Sequence, residues 1–324
     1  MAFKRLLYSV FLVFAVYVCV QLGTLTAHAA VGGEMVSLVT QDGVQIRITY
    51  YPSPLRKGSP EAKQATPVVL LHDHKETRAD FNQLAVKLQG VGEVTPKGPA
   101  FAVISVDLRA HGDSNKQASL DGNVYDLDAA KLTKRDYFAM AALDMEAVRS
   151  FIIEKNDAGE LNLNKLCILG AGMGTNVGVN WALQDWTAPP LAIGKQGQDV
   201  KALVLVSPRW SFEGLSFQAP MKFRPLKQNL AWMLVYGAQD PKVKSDVERI
   251  YKQLERVHPQ SGQGAGRKPG RLQVVAVPSK LQGNTLLTQA RETLDAKIID
   301  FLIANVAKMP QPWTNRLARI PQDE

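Results

Sequence analysis

Short apolar runs recur along the chain, separated by stretches with helical spacing. Residues 35–40 and 44–50 alternate apolar and polar positions around Gln41-Asp42-Gly43, which reads as a β-hairpin. Residues 67–71 (PVVLL), 101–106 (FAVISV), 166–169 (LCIL), 202–206 (ALVLV), 232–236 (WMLVY) and 272–277 (LQVVAV) are nearly continuous apolar runs. Such runs mark strands covered on both faces. Residues 79–88, 132–153, 177–186, 243–257 and 294–306 predict helices. In the second of these the apolar stripe is Phe138, Ala142, Met145, Val148 and Ile152, so Asp144 and Glu146 read as a solvated or capping face.

Buried strands that alternate with helices predict an α/β fold: a mostly parallel sheet of eight strands, helices on both faces, and the hairpin at one edge. Residues 207–230, between the sixth and seventh strands, carry Trp210, Phe212, Phe217, Met221 and Phe223. That content suits a short lid over an apolar pocket, or plain packing over the sheet edge.

The first thirty residues follow another pattern. Lys4 and Arg5 precede an apolar run over 6–22, and TLTAHAA at 24–30 puts Ala27 and Ala29 before a cut. This is the form of a secretory signal peptide over residues 1–29. The apolar run is close to the shortest that spans a bilayer, so an uncleaved N-terminal membrane anchor is the alternative. Cys19 lacks the small preceding residue of a lipidated cysteine. The expected organisation is a leader over 1–29, a globular domain over 30–309 and a tail over 310–324 that lies on the surface or frays. The expected location is secreted or periplasmic.

With 46% hydrophobic and 21% charged residues, the chain carries enough apolar material for a large core and is not a disordered sequence. Two cysteines, one of them in the leader, exclude a disulfide framework and a four-thiolate zinc site. The formal charge of +8 falls to +6 without residues 1–29. Basic residues are spread along the chain, and the densest cluster, Arg267, Lys268 and Arg271, has no aromatic platform. No nucleic-acid partner is expected. No cofactor is expected either.

In parallel sheets the chemistry gathers where strands end at their carboxyl edge. There the chain places His72-Asp73-His74, then Asp107-Leu108-Arg109-Ala110-His111-Gly112-Asp113-Ser114, then Gly170-Ala171-Gly172-Met173-Gly174, then Asp240, then Ser279-Lys280-Leu281-Gln282-Gly283-Asn284. In this order the segments resemble the α/β-hydrolase family, in particular its esterase, lipase and serine-aminopeptidase-like members, over about residues 35–307. The most specific piece is DLRAHGDS, with Ala110 where glycine is usual. Leu71-His72 resembles the start of the family's oxyanion loop, with Asp73 in place of glycine.

The resemblance implies a nucleophile at Gly172, a triad acid at Asp240 and a triad base at Gln282. Glycine offers no nucleophile, and an amide does not cycle a proton near neutral pH. The backbone N–H of Met173 and one near His74 would still form the two-donor oxyanion pocket. The expectation is therefore a non-catalytic binding protein for a small acyl or ester-like ligand or a protein partner, with Ser207 and Trp210 also lining the site. A membrane is a partner only if the leader stays.

The alternative is an active hydrolase of ester, thioester or amide bonds using a rewired site. It would use Ser207 with His74, Ser279, or a water activated by Asp240 or Asp73. Cys167 reads as a small buried residue, His111 as a loop pin and His72 as a support of the oxyanion loop. His72-Asp73-His74 also has the alternate spacing of metal ligands, with Asp240 as the further ligand that could approach; a metal needs at least three converging ligands, and none is expected.

Overall fold

A computed structural model describes residues 32–94, 99–119, 121–189, 195–258 and 270–316. The leader, and Arg267 and Lys268 of the basic cluster, lie outside the described residues. Ten strands form one sheet. They are β1 (Glu34–Val39), β2 (Val44–Tyr51), β3 (Thr66–Leu71), β4 (Phe101–Val106), β5 (Lys116–Ala118), β6 (Val124–Asp126), β7 (Leu166–Ala171), β8 (Val200–Val206), β11 (Ala231–Gly237) and β12 (Leu272–Val277). A separate two-residue hairpin, β9 (Ser211–Phe212) with β10 (Leu215–Ser216), sits in the expected lid segment.

The sheet order is β12-β11-β8-β7-β3-β4-β2-β5-β6, with β1 beside β2. The six strands from β12 to β4 run parallel, and every pairing involving β1, β2, β5 and β6 is antiparallel. The eight expected strands are present. The two extra ones, β5 and β6, hold three residues each at the end of the sheet, too few for a hydrophobic pattern to announce them. The register sets Leu71 opposite Gly170, Gly170 opposite Leu205, and Leu205 opposite Leu234. The loops that leave these strands therefore start at one level.

Side chains alternate between two cores. Val69, Ile104, Ile168 and Leu203 point to one face, and Val68, Val103, Cys167 and Val204 to the other. Helix α1 (Asn82–Val94) and the last helices, α8 (Gly283–Gln289) and α9 (Arg291–Leu302), cover one face. Helices α2 (Lys134–Ala139), α3 (Met145–Asp157), α4 (Met173–Thr187) and α7 (Pro241–Glu255) cover the other; α5 (Gln218–Lys222) and α6 (Arg224–Asn229) follow the small hairpin. A π turn, Met140–Asp144, joins α2 to α3. No helix of the described residues is long and apolar enough to cross a membrane.

One expectation needs correction. Asp144 is fully buried, not solvated: its carboxylate takes three hydrogen bonds from Arg109, at 2.7–3.0 Å. Glu146 accepts from the Trp181 indole at 2.7 Å. From Gln311 to Arg316 the tail lies mostly on the surface and is held there by the body of the domain. Carbonyls of Gln311, Pro312 and Thr314 accept from Asn162, Asn164 and Asn156, and Arg316 forms a buried ion pair with Asp199. A buried aspartate needs cations, and the tail adds Arg316 to Arg149 and Lys195 around Asp199.

Candidate functional site

The DLRAHGDS turn after β4 is a scaffold. Buried Asp107 accepts from the backbone N–H of Arg78 at 2.7 Å and of Asp113 at 2.9 Å, and pairs with the Arg78 guanidinium. The Ser114 hydroxyl donates to the Asp107 carbonyl and accepts from Arg47 N–H, both at 2.7 Å. Arg109 links Asp144 to Asp42, which it reaches at 2.8 Å. Ala110 has φ of 64°, a left-handed conformation that explains why the family's usual residue there is glycine.

Three imidazoles sit between this turn and the loop after β3. His72 Nε2 accepts from Leu108 N–H at 3.1 Å, so the proton is on Nδ1, which donates to the Asp73 carbonyl at 2.7 Å. His111 donates from Nδ1 to the Arg109 carbonyl at 2.9 Å. His72 thus braces its loop and His111 ties its turn. With both nitrogens of His72 engaged, the metal alternative loses a ligand. Among the described residues, no group of three His, Cys, Asp or Glu side chains is placed to hold an ion.

His111 Nε2 and His74 Nδ1 are buried without a partner, and their rings lie 5.4 Å apart. Burial pushes the pKa of His72 and of His111 down to about 4. Burial, with Lys75 nearby, lowers His74 as well.

Gly172 stands between β7 and α4 with φ of 46° and ψ of −110°, a conformation open to glycine and strained for other residues. Its outer neighbours are glycine for a different reason. A Cβ on Gly170 would strike the backbone of Gly174, and one on Gly174 would strike that of Leu71. The two expected donors, Met173 N–H and His74 N–H, both point at one atom, Asp73 Oδ1, at 2.8 and 2.7 Å. The other carboxylate oxygen lies 3.7 Å from the Arg209 guanidinium.

The Asp73 carboxyl group fills the space that a side chain at Gly172 would enter, and it also occupies the space beside Gly283, whose φ is 55°. Asp73 N–H donates to Asn284 Oδ1 at 3.1 Å, and Asn284 Nδ2 donates to Asp80 at 2.7 Å.

Gln282, just before α8, is engaged at both ends of its amide. Oε1 accepts from the Ser207 hydroxyl at 2.6 Å and from Gly237 N–H at 3.2 Å, and Nε2 donates to the Gly237 carbonyl at 2.9 Å. Ser207 ends β8 with φ of 54°, and its oxygen accepts from Gly283 N–H at 2.9 Å. The imagined Ser207–His74 pair does not form, because that hydroxyl proton goes to Gln282.

Asp240 does not join Gln282 in a triad-like hydrogen bond. Its carboxylate caps α7, accepting from Lys242 and Val243 N–H at 2.9 and 3.1 Å. Trp210 is covered by the Arg249 guanidinium, 3.6 Å from the ring centre, and stacks on Phe217. Phe212 is the aromatic beside His74, at 5.8 Å. Ser279 is a turn residue whose oxygen accepts from Leu281 N–H. Cys167 is buried inside β7, and burial raises its thiol pKa.

The sequence reading missed Arg209, Gly283 and Asn284 as neighbours of the cradle. The one signal was an aspartate standing where an oxyanion loop normally has glycine.

No family model matches the sequence, and no curated protein matches it. Solved structures do. DcsB in complex with its substrate analogue aligns with a TM-score of 0.55 at 14% identity, covering 85% of this chain and 99% of that one. A soluble variant of monoglyceride lipase from Saccharomyces cerevisiae, also bound to a substrate analogue, gives 0.53 at 12% identity, with 86% and 97% covered. A Pyrococcus furiosus esterase gives 0.51 at 14%, with 86% and 93% covered. The chain has the α/β-hydrolase fold. At such low identity the likeness is one of architecture, and an α/β-hydrolase fold hosts many activities. Within it, the turn at Gly172, the loop at Asp73 and the loop at Gln282 meet at the carboxyl edge of the sheet, where this fold assembles its sites.

Proposed function

We propose that the chain is an exported, non-catalytic binding protein built on the α/β-hydrolase fold. Its ligand is a small acyl or ester-like molecule or a protein partner, bound at the carboxyl edge of the sheet. Export follows from the leader, and the mature protein is secreted or periplasmic unless the leader stays as an anchor. The observation that carries the reading is the Asp73 carboxylate, which satisfies both amide donors beside Gly172 and takes the room a nucleophile would need.

The rest of the site supports it. Acyl transfer needs a nucleophile whose proton passes to a base. Ser207 passes its hydrogen bond to an amide oxygen, which holds no proton near neutral pH. Asp240 is engaged as a helix cap. His74, Phe212 and Arg209 stand together beside the amide donors that Asp73 occupies.

The purified protein, offered short-chain aryl esters and a fluorophosphonate probe, should show no turnover above buffer and no covalent label. One observation favours the rewired hydrolase: Ser207 holds a left-handed backbone at a strand end, as exposed nucleophiles do on sharp turns. The same assay decides. Label on Ser207, with turnover abolished in Ser207→Ala, would establish the hydrolase and overturn the binding-protein reading.

A further inference from the structure

We propose that the amide cradle is a carboxylate-binding site closed in cis by Asp73, which serves as the chain's own ligand and shuts out free carboxylates. The inference deepens the binding reading above and rests on its claim that no nucleophile occupies the cradle.

The cradle has the parts of an anion site. Two backbone N–H groups converge on one oxygen at 2.7 and 2.8 Å. Met173 is the first residue of a 15-residue helix, whose N-terminal end carries partial positive charge. Arg209 adds a guanidinium 3.7 Å from the second oxygen. Two glycines with positive φ, Gly172 and Gly283, leave open the volume that the carboxyl group fills. One donor is the next residue's amide, but the other donor, the guanidinium and the two glycines come from separate segments of the chain.

The occupant is tethered. Asp73 precedes one donor by a single residue and reaches the other across a separation of 100 residues. Its backbone is fixed by Asn284. A group held at its target competes at a high effective concentration, so a free carboxylate at millimolar level does not displace it. Shortening the side chain should vacate the donors without touching them. A neutral isostere should keep them filled, because an amide oxygen still accepts both hydrogen bonds.

The test uses ¹⁵N-labelled protein titrated with butyrate. In Asp73→Ala the amide signals of His74 and Met173 should shift, with an apparent affinity at least about tenfold above that of the unmodified protein. Asp73→Asn should behave like the unmodified protein. In the unmodified protein both amides should exchange slowly with solvent hydrogen, a measurement that does not depend on any variant folding.

Three results would overturn the proposal. The unmodified protein could bind butyrate as well as Asp73→Ala does, the two amides could exchange freely, or a folded Asp73→Ala could leave both signals unmoved by butyrate. Each leaves the non-catalytic reading standing, because that reading falls only to probe labelling and turnover.

Discussion

Asp107 and Asp73 are built from the same parts and used differently. Each carboxylate accepts from two backbone N–H groups and faces a guanidinium. The Asp107 side chain is 0% exposed, and its contacts tie the loop after β3 to the turn after β4. The Asp73 side chain keeps 16% of its exposure, and its arginine stands off at 3.7 Å. Asp73 bridges two loops at the rim of the sheet, where water reaches what it leaves. A buried carboxylate of this kind holds the fold, whereas a rim carboxylate of the same design holds a site shut. Motif strength in the sequence follows the first role, which is why DLRAHGDS is the clearest match and carries none of the chemistry.

The sharpest way to break this comparison is to delete each carboxylate in turn. Asp107→Ala leaves the Arg78 guanidinium with only the exposed Asp113 carboxylate, at 2.7 Å, as an ion partner, strips two backbone N–H groups of their acceptor, and should cost about 3–5 kcal/mol. Asp73→Ala removes hydrogen bonds to a charged group that water can replace, and should cost about 1–2 kcal/mol. Urea unfolding midpoints of the two variants measure the difference. Equal losses would mean that Asp73 is a structural residue like Asp107, and the contrast between fold and site would disappear.

The second way uses pH. His111 belongs to the scaffold turn and His72 to the rim loop, and burial pushes both down to about 4 from an unfolded value of 6.5. Above pH 6.5 both states are neutral at these positions, and neither histidine imposes a penalty. As pH falls from 6.5 towards 4, the unfolded chain takes up protons that the folded chain refuses, so stability falls. The loss approaches about 3 kcal/mol per histidine at the acid end. His111→Gln should remove a substantial part of the slope between pH 6.5 and 4.5, the rest belonging to His72, His74 and His258. A slope unchanged in that variant would assign the effect to the other lowered histidines, His72 and His74 of the rim loop and His258.

The sequence made the parallel sheet legible because each central strand is an apolar run covered on both faces. Strands β5 and β6 escaped it, being three residues each, too short to show a period, and held by pairing to an edge. Asp144 was misread because periodicity reports which face of a helix is apolar. It says nothing of a buried arginine from another segment that makes an inward aspartate affordable. For the same reason the sequence does not show what holds the tail to the surface, since Arg316 answers Asp199 across 117 residues. At the site, residue types told which groups a hydrolase would lack. They did not tell where the replacement carboxylate points, because a positive-φ glycine at 172 and another at 283 create its room only in three dimensions.

Gly172→Ser sharpens the comparison at the smallest scale. The serine would have to adopt φ of 46° and push its Cβ into the Asp73 carboxyl group. Overpacking and strain together should cost about 1–3 kcal/mol, with no gain of probe labelling. Adding Gln282→His alone should not help, because the clash lies with Asp73. The triple change Asp73→Gly, Gly172→Ser and Gln282→His empties the cradle, supplies a hydroxyl and offers an imidazole at the Gln282 position. It should regain part of the lost stability and become the first variant to react with a fluorophosphonate. If Gly172→Ser with Gln282→His labels equally well while Asp73 is intact, the carboxylate moves aside at little cost, and the rim is an open site instead of a closed one.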